Sequence, residues 1–390
     1  MTTALFLFTG IFCLVYLLLM LIYWMAWKRI ADVSDDDSVK HFTTSITVII
    51  AARNEADNLP SLLSCLASQD YPSSLFEVII VDDHSEDDTA RIVAEWRATN
   101  VKLIKLSDHL GTAINAYKKK AISTGIATAS GELIVTTDAD CTMGIHWLSS
   151  IAAYYEKHRP NMIVMPVVMK AENNGMGIFQ LLDFMSLQGI TGASVQLGVH
   201  GMCNGANLAY TRNTFNEVNG FENIDSIASG DDLLLMHKVK KKFQHGIHYL
   251  KSADVIVKTL AQPDFKQFLN QRIRWAGKAG HYPDKSMLPV LLWVYLFNLL
   301  LLVDFIFVLL RGRSIHLLSL TIDPWQGWLG LMLVKTFFEL IFLWPVAGFF
   351  NKRKYMLVFP FFQPVHIIYT VMAGALGVMK DYEWKGRTVK

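Results

Sequence analysis

Residues 4 to 27, ALFLFTGIFCLVYLLLMLIYWMAW, run for 24 residues without a charged side chain. As a helix that stretch reaches across a hydrocarbon layer of about 30 Å. A cleaved signal peptide would carry positive charge ahead of its apolar run, whereas Lys28 and Arg29 follow this one, so it is read as an anchor. Basic residues favour the cytoplasmic side, which places the middle of the chain there. Three further apolar runs, from Met287 to Leu310, Trp325 to Phe350 and Tyr355 to Met379, explain why 52% of the 390 residues are hydrophobic.

The run Asn351-Lys352-Arg353-Lys354 also belongs on the cytoplasmic side, which fits a crossing at 287 to 310, a turn near Arg311, and a return at 325 to 350. The last run has two placements. A full crossing leaves Lys380, Lys385, Arg387 and Lys390 outside; Pro360, Gln363 and Pro364 favour instead a broken, re-entrant or interfacial segment that keeps them inside. The formal charge of +2 gives no reason to expect a nucleic acid partner. Cys13, Cys65, Cys141 and Cys203 are scattered without a CxxC pair, so neither a zinc site nor a disulfide framework is expected.

From Ser45 to Tyr282 short β-branched runs alternate with helical patterns, which predicts an α/β domain built on a mostly parallel sheet. The strands are Ile46 to Ala51, Phe76 to Val81, Val101 to Leu106 and Leu133 to Thr137. Helices are expected near Asn58 to Ser68, Asp88 to Thr99 and Ala113 to Ala129, the second opened by a capping box from Ser85 to Asp88. The expected organisation is an anchor at 1–30, a cytoplasmic domain at 43–282, a C-terminal transmembrane region at 286–380 and a tail at 381–390. A dehydrogenase of this class would carry GxGxxG after its first strand; here AARNEADN follows, and the only GxG, at Gly175, lacks the third glycine.

Ligands of open α/β sheets bind beyond the carboxyl ends of the strands, and those positions here are acidic. Asp138 and Asp140 end the fourth strand one residue apart, a spacing that lets both carboxylates reach one hard cation, magnesium or manganese, and leaves positions for diphosphate oxygens. Such a cation neutralises a departing diphosphate. Asp82 and Asp83 follow the second strand and suit a base N–H or ribose hydroxyls, with Glu55 in the same pocket; a capped helix start is the structural alternative for this loop. Asp231 and Asp232 open an amphipathic helix after Ser229-Gly230. A carboxylate there can take the proton of an attacking hydroxyl, with Asp232 assigned as the base and Asp231 as its alternative; helix-terminal capping explains the same pair structurally. In Gln271-Arg272-Ile273-Arg274-Trp275, a spacing of three and four puts Gln271, Arg274 and Trp275 on one face, suited to diphosphate and acceptor, or else to a basic helix at a membrane surface.

Together these segments resemble the inverting, GT-A-type glycosyltransferases of family 2, in particular membrane-bound members. The likeness is carried by ITVIIAARNEADNL, EVIIVDDHSEDDTA, Asp138-Ala139-Asp140, NGANLAYTRNTFNEVNGF from Asn204, GDDLLLMHKV from Gly230, QRIRW from Gln271 and WKGR from Trp384. The resemblance implies a Rossmann-like nucleotide-sugar domain with one N-terminal and two to three C-terminal transmembrane helices. It also implies donor binding by Glu55, Asp83 and the Asp138/Asp140 metal site, base function for Asp232, and phosphate or acceptor contacts from Gln271, Arg274 and Trp275. The donor is expected to be a nucleotide-diphosphate sugar, commonly a uridine diphosphate sugar, and the location a bacterial inner membrane. Polymer synthases of this kind carry Thr-Glu-Asp where Gly230-Asp231-Asp232 stands, and few membrane segments remain here to line a channel. Transfer of one sugar to a lipid or lipid-linked acceptor is therefore expected, such as a glycerolipid, sphingolipid, carotenoid or polyprenyl carrier. A processive polysaccharide synthase and a catalytically silent scaffold are the alternatives. The stretch Gly175 to Gly198 is either an interfacial helix admitting acceptors or core packing of the same domain.

Overall fold

The computed structural model describes residues 2–33, 41–109, 116–170, 174–199, 202–225, 227, 230–277, 285, 287–311, 315–317, 320–379, 382–384 and 387–389. The expected Ser229, residues 113–115 of the third expected helix, and Lys385-Gly386 of the terminal motif lie outside the described residues. The elements in chain order are α1 (Thr2–Arg29), β1 (Ile46–Ala52), α2 (Leu59–Ala67), β2 (Phe76–Asp82), α3 (Thr89–Glu95), β3 (Val101–Lys105), α4 (Tyr117–Thr128), β4 (Leu133–Thr136), α5 (Trp147–His158), β5 (Met162–Val164), β6 (Val167–Met169) and α6 (Gly175–Leu197). There follow β7 (Leu208–Thr211), α7 (Arg212–Glu217), α8 (Asp231–Lys242), β8 (Ile247–Tyr249), β9 (Val257–Thr259), α9 (Phe265–Gly277), α10 (Met287–Arg311), α11 (Pro324–Phe349) and α12 (Gln363–Met379).

Two compact units result, one of residues 30–170, 194–261 and 381–390, the other of residues 1–29, 171–193 and 262–380. The stretches 171–193 and 262–277 thus pack with the apolar helices, although the alternating pattern of the sequence runs through both. In the first unit a seven-stranded sheet has the order β3-β2-β1-β4-β7-β5-β8. Strands β1 to β4 are parallel, and β7 enters antiparallel to both β4 and β5. β2 is buried at every position and β1 at all but Ala51, so neither alternates in polarity, as expected of strands covered on both faces. The parallel register sets Ala52 beside Asp82 and Ile49 beside Thr136, which brings the ends of β1, β2 and β4 to one edge.

The capping expectation is corrected at α3. The helix opens at Thr89, whose N–H donates to Asp87 Oδ1, while Ser85 lies four residues ahead and its hydroxyl accepts from Asn54 N. The helix also stops at Glu95, because Trp96 takes an extended backbone.

The second unit is apolar on its outside as well as within. Leu14, Leu18, Leu309, Leu333 and Phe337 are exposed large hydrophobics on α1, α10 and α11, while Phe12 stacks on Trp293 at 4.0 Å inside. Among the described residues four helical stretches are long and apolar enough to cross a membrane: Thr3–Arg29, Met287–Leu310, Pro324–Phe349 and Phe359–Gly377. The last apolar run is not one helix. The short 3-10 turns Arg353–Leu357 and Phe359–Phe362 precede α12, in keeping with the break expected at its prolines. A closed polar cluster sits inside this unit: Lys335 Nζ meets Glu339 Oε1 at 2.7 Å and Gln363 Oε1 at 2.6 Å, Gln363 Nε2 donates to Glu339 Oε2, and the Tyr16 hydroxyl donates to Glu339 Oε1. All four residues are buried, so each polar atom must be answered from within the protein.

Candidate active site

The loops after β1 and β2 are tied together by hydrogen bonds that run between them. Asn54 N donates to Ser85 Oγ, Glu86 N to Asn54 Oδ1, Glu55 N to Thr89 Oγ1 and Ala56 N to Asp87 Oδ2, all at 2.8 to 3.0 Å. Asn54 and His84 both have positive φ, at 51° and 56°, a conformation asparagine tolerates better than most residues. Asp82 accepts from Ser85 N, Asp83 Oδ1 lies 3.0 Å from His84 Nδ1, and the His84 ring stands edge-on to Tyr117 at the start of α4. Within VDDHSEDDT, then, Ser85, Asp87 and Thr89 hold the loop to its neighbour, while Asp82 and Asp83 are buried at the end of β2.

Asp138 and Asp140 leave the end of β4 with buried Ala139 between them. Thr142 pairs with Lys258 through backbone bonds of 2.9 and 2.8 Å, which brings Thr259 of β9 to donate to Asp140 Oδ2 at 3.1 Å. Burial, then the neighbouring charges of Asp138 and Glu55, push the Asp140 carboxyl above the ordinary range. Glu55 Oε2 also accepts from Asn58 Nδ2 at 2.7 Å.

The site continues through Lys118. Its Nζ lies 2.8 Å from Asp138 Oδ1 and 3.4 Å from Asp231 Oδ2. Burial alone would push this ammonium down, but Asp138, Asp231 and Asp232 outweigh it and hold its pKa above the ordinary value. Asp231 is the first residue of α8, after Gly230 in a left-handed turn at φ 77°. Asp232 accepts from Gly205 N at 3.0 Å and from Leu233 N at 2.7 Å, while the Gly205 carbonyl is held by Thr136 Oγ1 of β4. A Cβ at Gly205 would stand 3.1 Å from Asp231 Oδ2 and 3.5 Å from Lys118 Nζ, so the loop lies directly against both side chains.

Lys118 therefore joins Asp138 to Asp231, with Asp140 and Asp232 beside them in sequence, and the ends of β1 and β2, which carry Glu55, Asp82 and Asp83, lie at the same sheet edge. Gln271, Arg274 and Trp275 lie on α9 of the other compact unit, where all three are half-buried. Sequence reasoning missed two residues of the sheet edge. Lys118 was hidden in the run Lys118-Lys119-Lys120, which reads as a solvated face. Asn207 is fully buried, donates to the carbonyls of Pro166 and Val255 at 2.7 Å each, and accepts from Trp147 Nε1, so it pins the start of β7; its only signal was its place in Asn204-Gly205-Ala206-Asn207.

Among the described residues no three His, Cys, Asp or Glu side chains are gathered to enclose a cation unaided. Asp138 and Asp140 nevertheless fit a cation that is completed by substrate: magnesium and manganese take hard oxygen ligands and are commonly held by one or two carboxylates plus phosphate oxygens.

Two family models match the chain: Glycosyl transferase family 2 over residues 47–218, and Glycosyl transferase family group 2 over residues 133–374. The chain is similar to glycosyltransferase AglE of Haloferax volcanii, with 25% identity over 231 residues that cover 59% of this chain and 71% of AglE. It is 31% identical over 135 residues to the poly(ribitol-phosphate) beta-N-acetylglucosaminyltransferase TarS of Staphylococcus aureus, covering 34% of this chain but 22% of TarS. The mannosyltransferase PcManGT of Pyrobaculum calidifontis, solved in complex with GDP-Man and Mn2+, shares the fold at a TM-score of 0.54 and 18% identity, over 97% of this chain and 99% of that one.

Proposed function

The chain belongs to glycosyl transferase family group 2 and is a nucleotide-sugar glycosyltransferase, and from that premise we propose that it performs a metal-dependent, inverting transfer of one sugar to a lipid or lipid-linked acceptor. The observation that carries this reading is the bridge by which Lys118 joins Asp138, next to Asp140, to Asp231, next to Asp232. Membership of the family also sets aside the scaffold alternative.

In this reading Glu55, Asp82 and Asp83 receive the nucleotide, a uridine diphosphate carrier in the simplest case. Asp138 and Asp140 hold a divalent cation, magnesium or manganese, which neutralises diphosphate charge when bound. Lys118 supplies fixed positive charge beside Asp138, where phosphate oxygens arrive. Asp232 takes the proton of the acceptor hydroxyl as its oxygen attacks the anomeric carbon. The carbon–oxygen bond to the diphosphate breaks on the opposite face, so configuration inverts and a nucleoside diphosphate leaves. The N–H groups of Gly205 and Leu233 hold the Asp232 carboxylate in place. Asp231, committed to Lys118, is the alternative base. Gln271, Arg274 and Trp275 contact donor phosphate or acceptor.

The lipid acceptor is supported by the second unit, whose outward faces are apolar on α1, α10 and α11. In this reading 1–30 anchors the chain, the domain of 43–282 faces the cytoplasm beside Lys28 and Arg29, 286–380 is the C-terminal membrane region and 381–390 the tail, at a bacterial inner membrane. Membranes carrying the protein, given a panel of labelled nucleotide sugars and extracted for lipid, test the proposal. Label in the lipid fraction that disappears with a chelator and in Asp232→Asn is the expected result; label confined to water-soluble polymer, or persisting in Asp232→Asn, overturns it.

A further inference from the structure

Arg272 separates itself from the residues around it. In QRIRW the side chains at 271, 274 and 275 are half-buried, whereas Arg272 is 4% exposed. Its Nε and Nη2 both donate to Asp183 Oδ2 on α6, at 2.9 and 2.6 Å. The other oxygen of Asp183 accepts from the Tyr369 hydroxyl of α12. The flat faces of the guanidinium are used too: its Cζ lies 4.5 Å from the Phe268 ring centre and 4.3 Å from that of Trp275, one turn to either side along α9. Nη1 donates to Gln271 Oε1 at 2.6 Å.

This is more than a helix contact requires. The inner face of α9 is already fixed by Phe268 and Ile273, which pack with Phe179, Tyr369 and Ala373. Gly277 approaches Gly377 so closely that a Cβ on the former would meet the Gly377 carbonyl at 2.9 Å. With α9 held by apolar packing, a buried ion pair is not needed to dock it, and replacing such a pair by apolar residues is often neutral or stabilising. What apolar residues cannot do is orient an indole ring and a carboxamide together. A guanidinium pinned at its edge by Asp183 presents one rigid plane to Trp275, and an N–H of Nη1 takes the carbonyl end of Gln271, leaving Nε2 as the donor end for a phosphate or hydroxyl oxygen.

We infer that Arg272 is a positioning residue, set by Asp183 and Tyr369, that fixes the ring plane of Trp275 and the amide sense of Gln271. The inference rests on the reading of Gln271 and Trp275 as phosphate or acceptor contacts. It also makes Gln271 specifically a donor, which suits an anionic or hydroxyl-bearing ligand and not a cation.

The test compares the full chain in detergent or nanodiscs with Arg272→Lys, Trp275→Phe and the double variant. Lysine keeps the charge opposite Asp183 but has neither the fork nor the two faces. Arg272→Lys is expected to lower kcat by about tenfold to a hundredfold while the KM for nucleotide sugar stays within about twofold. In the Trp275→Phe background the same change should cost less than about threefold, since it acts through that ring. Acrylamide quenching of the Trp275 emission, taken as the difference between each protein and its Trp275→Phe counterpart, should rise in Arg272→Lys. Equal loss in both backgrounds, or unchanged quenching, overturns the inference. Asp183→Asn, which keeps shape and removes charge, serves in place of Arg272→Lys should that variant not survive purification, with the same expectations. A parent that transfers no sugar would sink the proposed function alone, because quenching still decides whether Arg272 orders Trp275.

Discussion

Lys118 Nζ stands 2.8 Å from Asp138 Oδ1, and that contact joins helix α4 to the acidic end of strand β4. The same ammonium reaches Asp231 at 3.4 Å, so one cation serves carboxylates from two elements that are more than ninety residues apart in sequence. The site is thus arranged around a fixed positive charge as well as around acids.

Replacing Lys118 by glutamine separates the two roles of that charge. With the ammonium gone, Asp138 is freer to hold a divalent cation, and the apparent affinity for Mn2+ in donor hydrolysis should tighten by roughly fivefold, the effect of about 1 kcal/mol of lost repulsion. Turnover should fall at the same time, by about tenfold or more, because the diphosphate loses a counter-charge. A manganese titration of nucleoside diphosphate release reads both; weaker metal binding in Lys118→Gln would contradict the arrangement.

Asp138→Asn and Asp140→Asn are each expected to lower transfer by about a hundredfold or more, as loss of an electrostatic group at a developing charge does. Asp140 sits where burial and acidic neighbours already oppose its ionised form, so its substitution should leave thermal stability unchanged or improved. Activity and melting temperature measured on the same preparation check the two signs together.

Asp232→Asn should reduce kcat by about a hundredfold to ten-thousandfold while donor KM changes little, because a base acts on the acceptor proton and not on donor binding. Asp231→Asn should act differently: it breaks the pairing with Lys118, so donor KM is expected to move. Steady-state kinetics with donor varied at fixed acceptor distinguishes the pair, and a larger kcat loss for Asp231→Asn would exchange their roles.

Glu77, on β2 away from the site, supplies a pH-dependent brace. Burial raises its pKa, but the Lys102 ammonium, the Ser130 N–H and hydroxyl, and the Thr47 hydroxyl outweigh that and bring it from 4.5 to about 2. A carboxyl depressed in the folded state stabilises above its unfolded value, and that contribution drains away as pH falls from 4.5 through about 2. Glu77→Gln should therefore melt lower at pH 7, by a margin of about 1 to 3 kcal/mol for lost charged hydrogen bonds, and the gap to the parent should close by about pH 2. Thermal unfolding across that range measures it.

The sheet was legible because β1, β2 and β4 are continuous β-branched runs, and the acids because they follow those runs at once. Lys118 was not, since a lysine among lysines has no pattern of its own; only the fold shows that Lys118 faces Asp138 while Lys119 caps the carbonyls of Ile224 and Ile227. The start of α3 was misread because Ser85, Asp87 and Asp88 all resemble caps, and which one serves depends on hydrogen bonds from a different loop. The membership of 171–193 and 262–277 was likewise hidden, because an amphipathic helix does not say which of two apolar surfaces it will meet. Trp275 and Gln271 announced themselves by spacing; Arg272, inside the same motif, could be told from Arg274 only by its burial.

The cluster of Tyr16, Lys335, Glu339 and Gln363 ties together segments from opposite ends of the sequence. Its charged members arrive late in synthesis, on one helix, while the hydroxyl that answers Glu339 has waited since the sixteenth residue. Lys335 and Glu339 already pair on α11, and Gln363 and Tyr16 supply the hydrogen bonds that the pair alone leaves unmade. Within its unit α1 is therefore seated by two later helices, its Tyr16 hydroxyl on Glu339 of α11 and its Phe12 ring on Trp293 of α10.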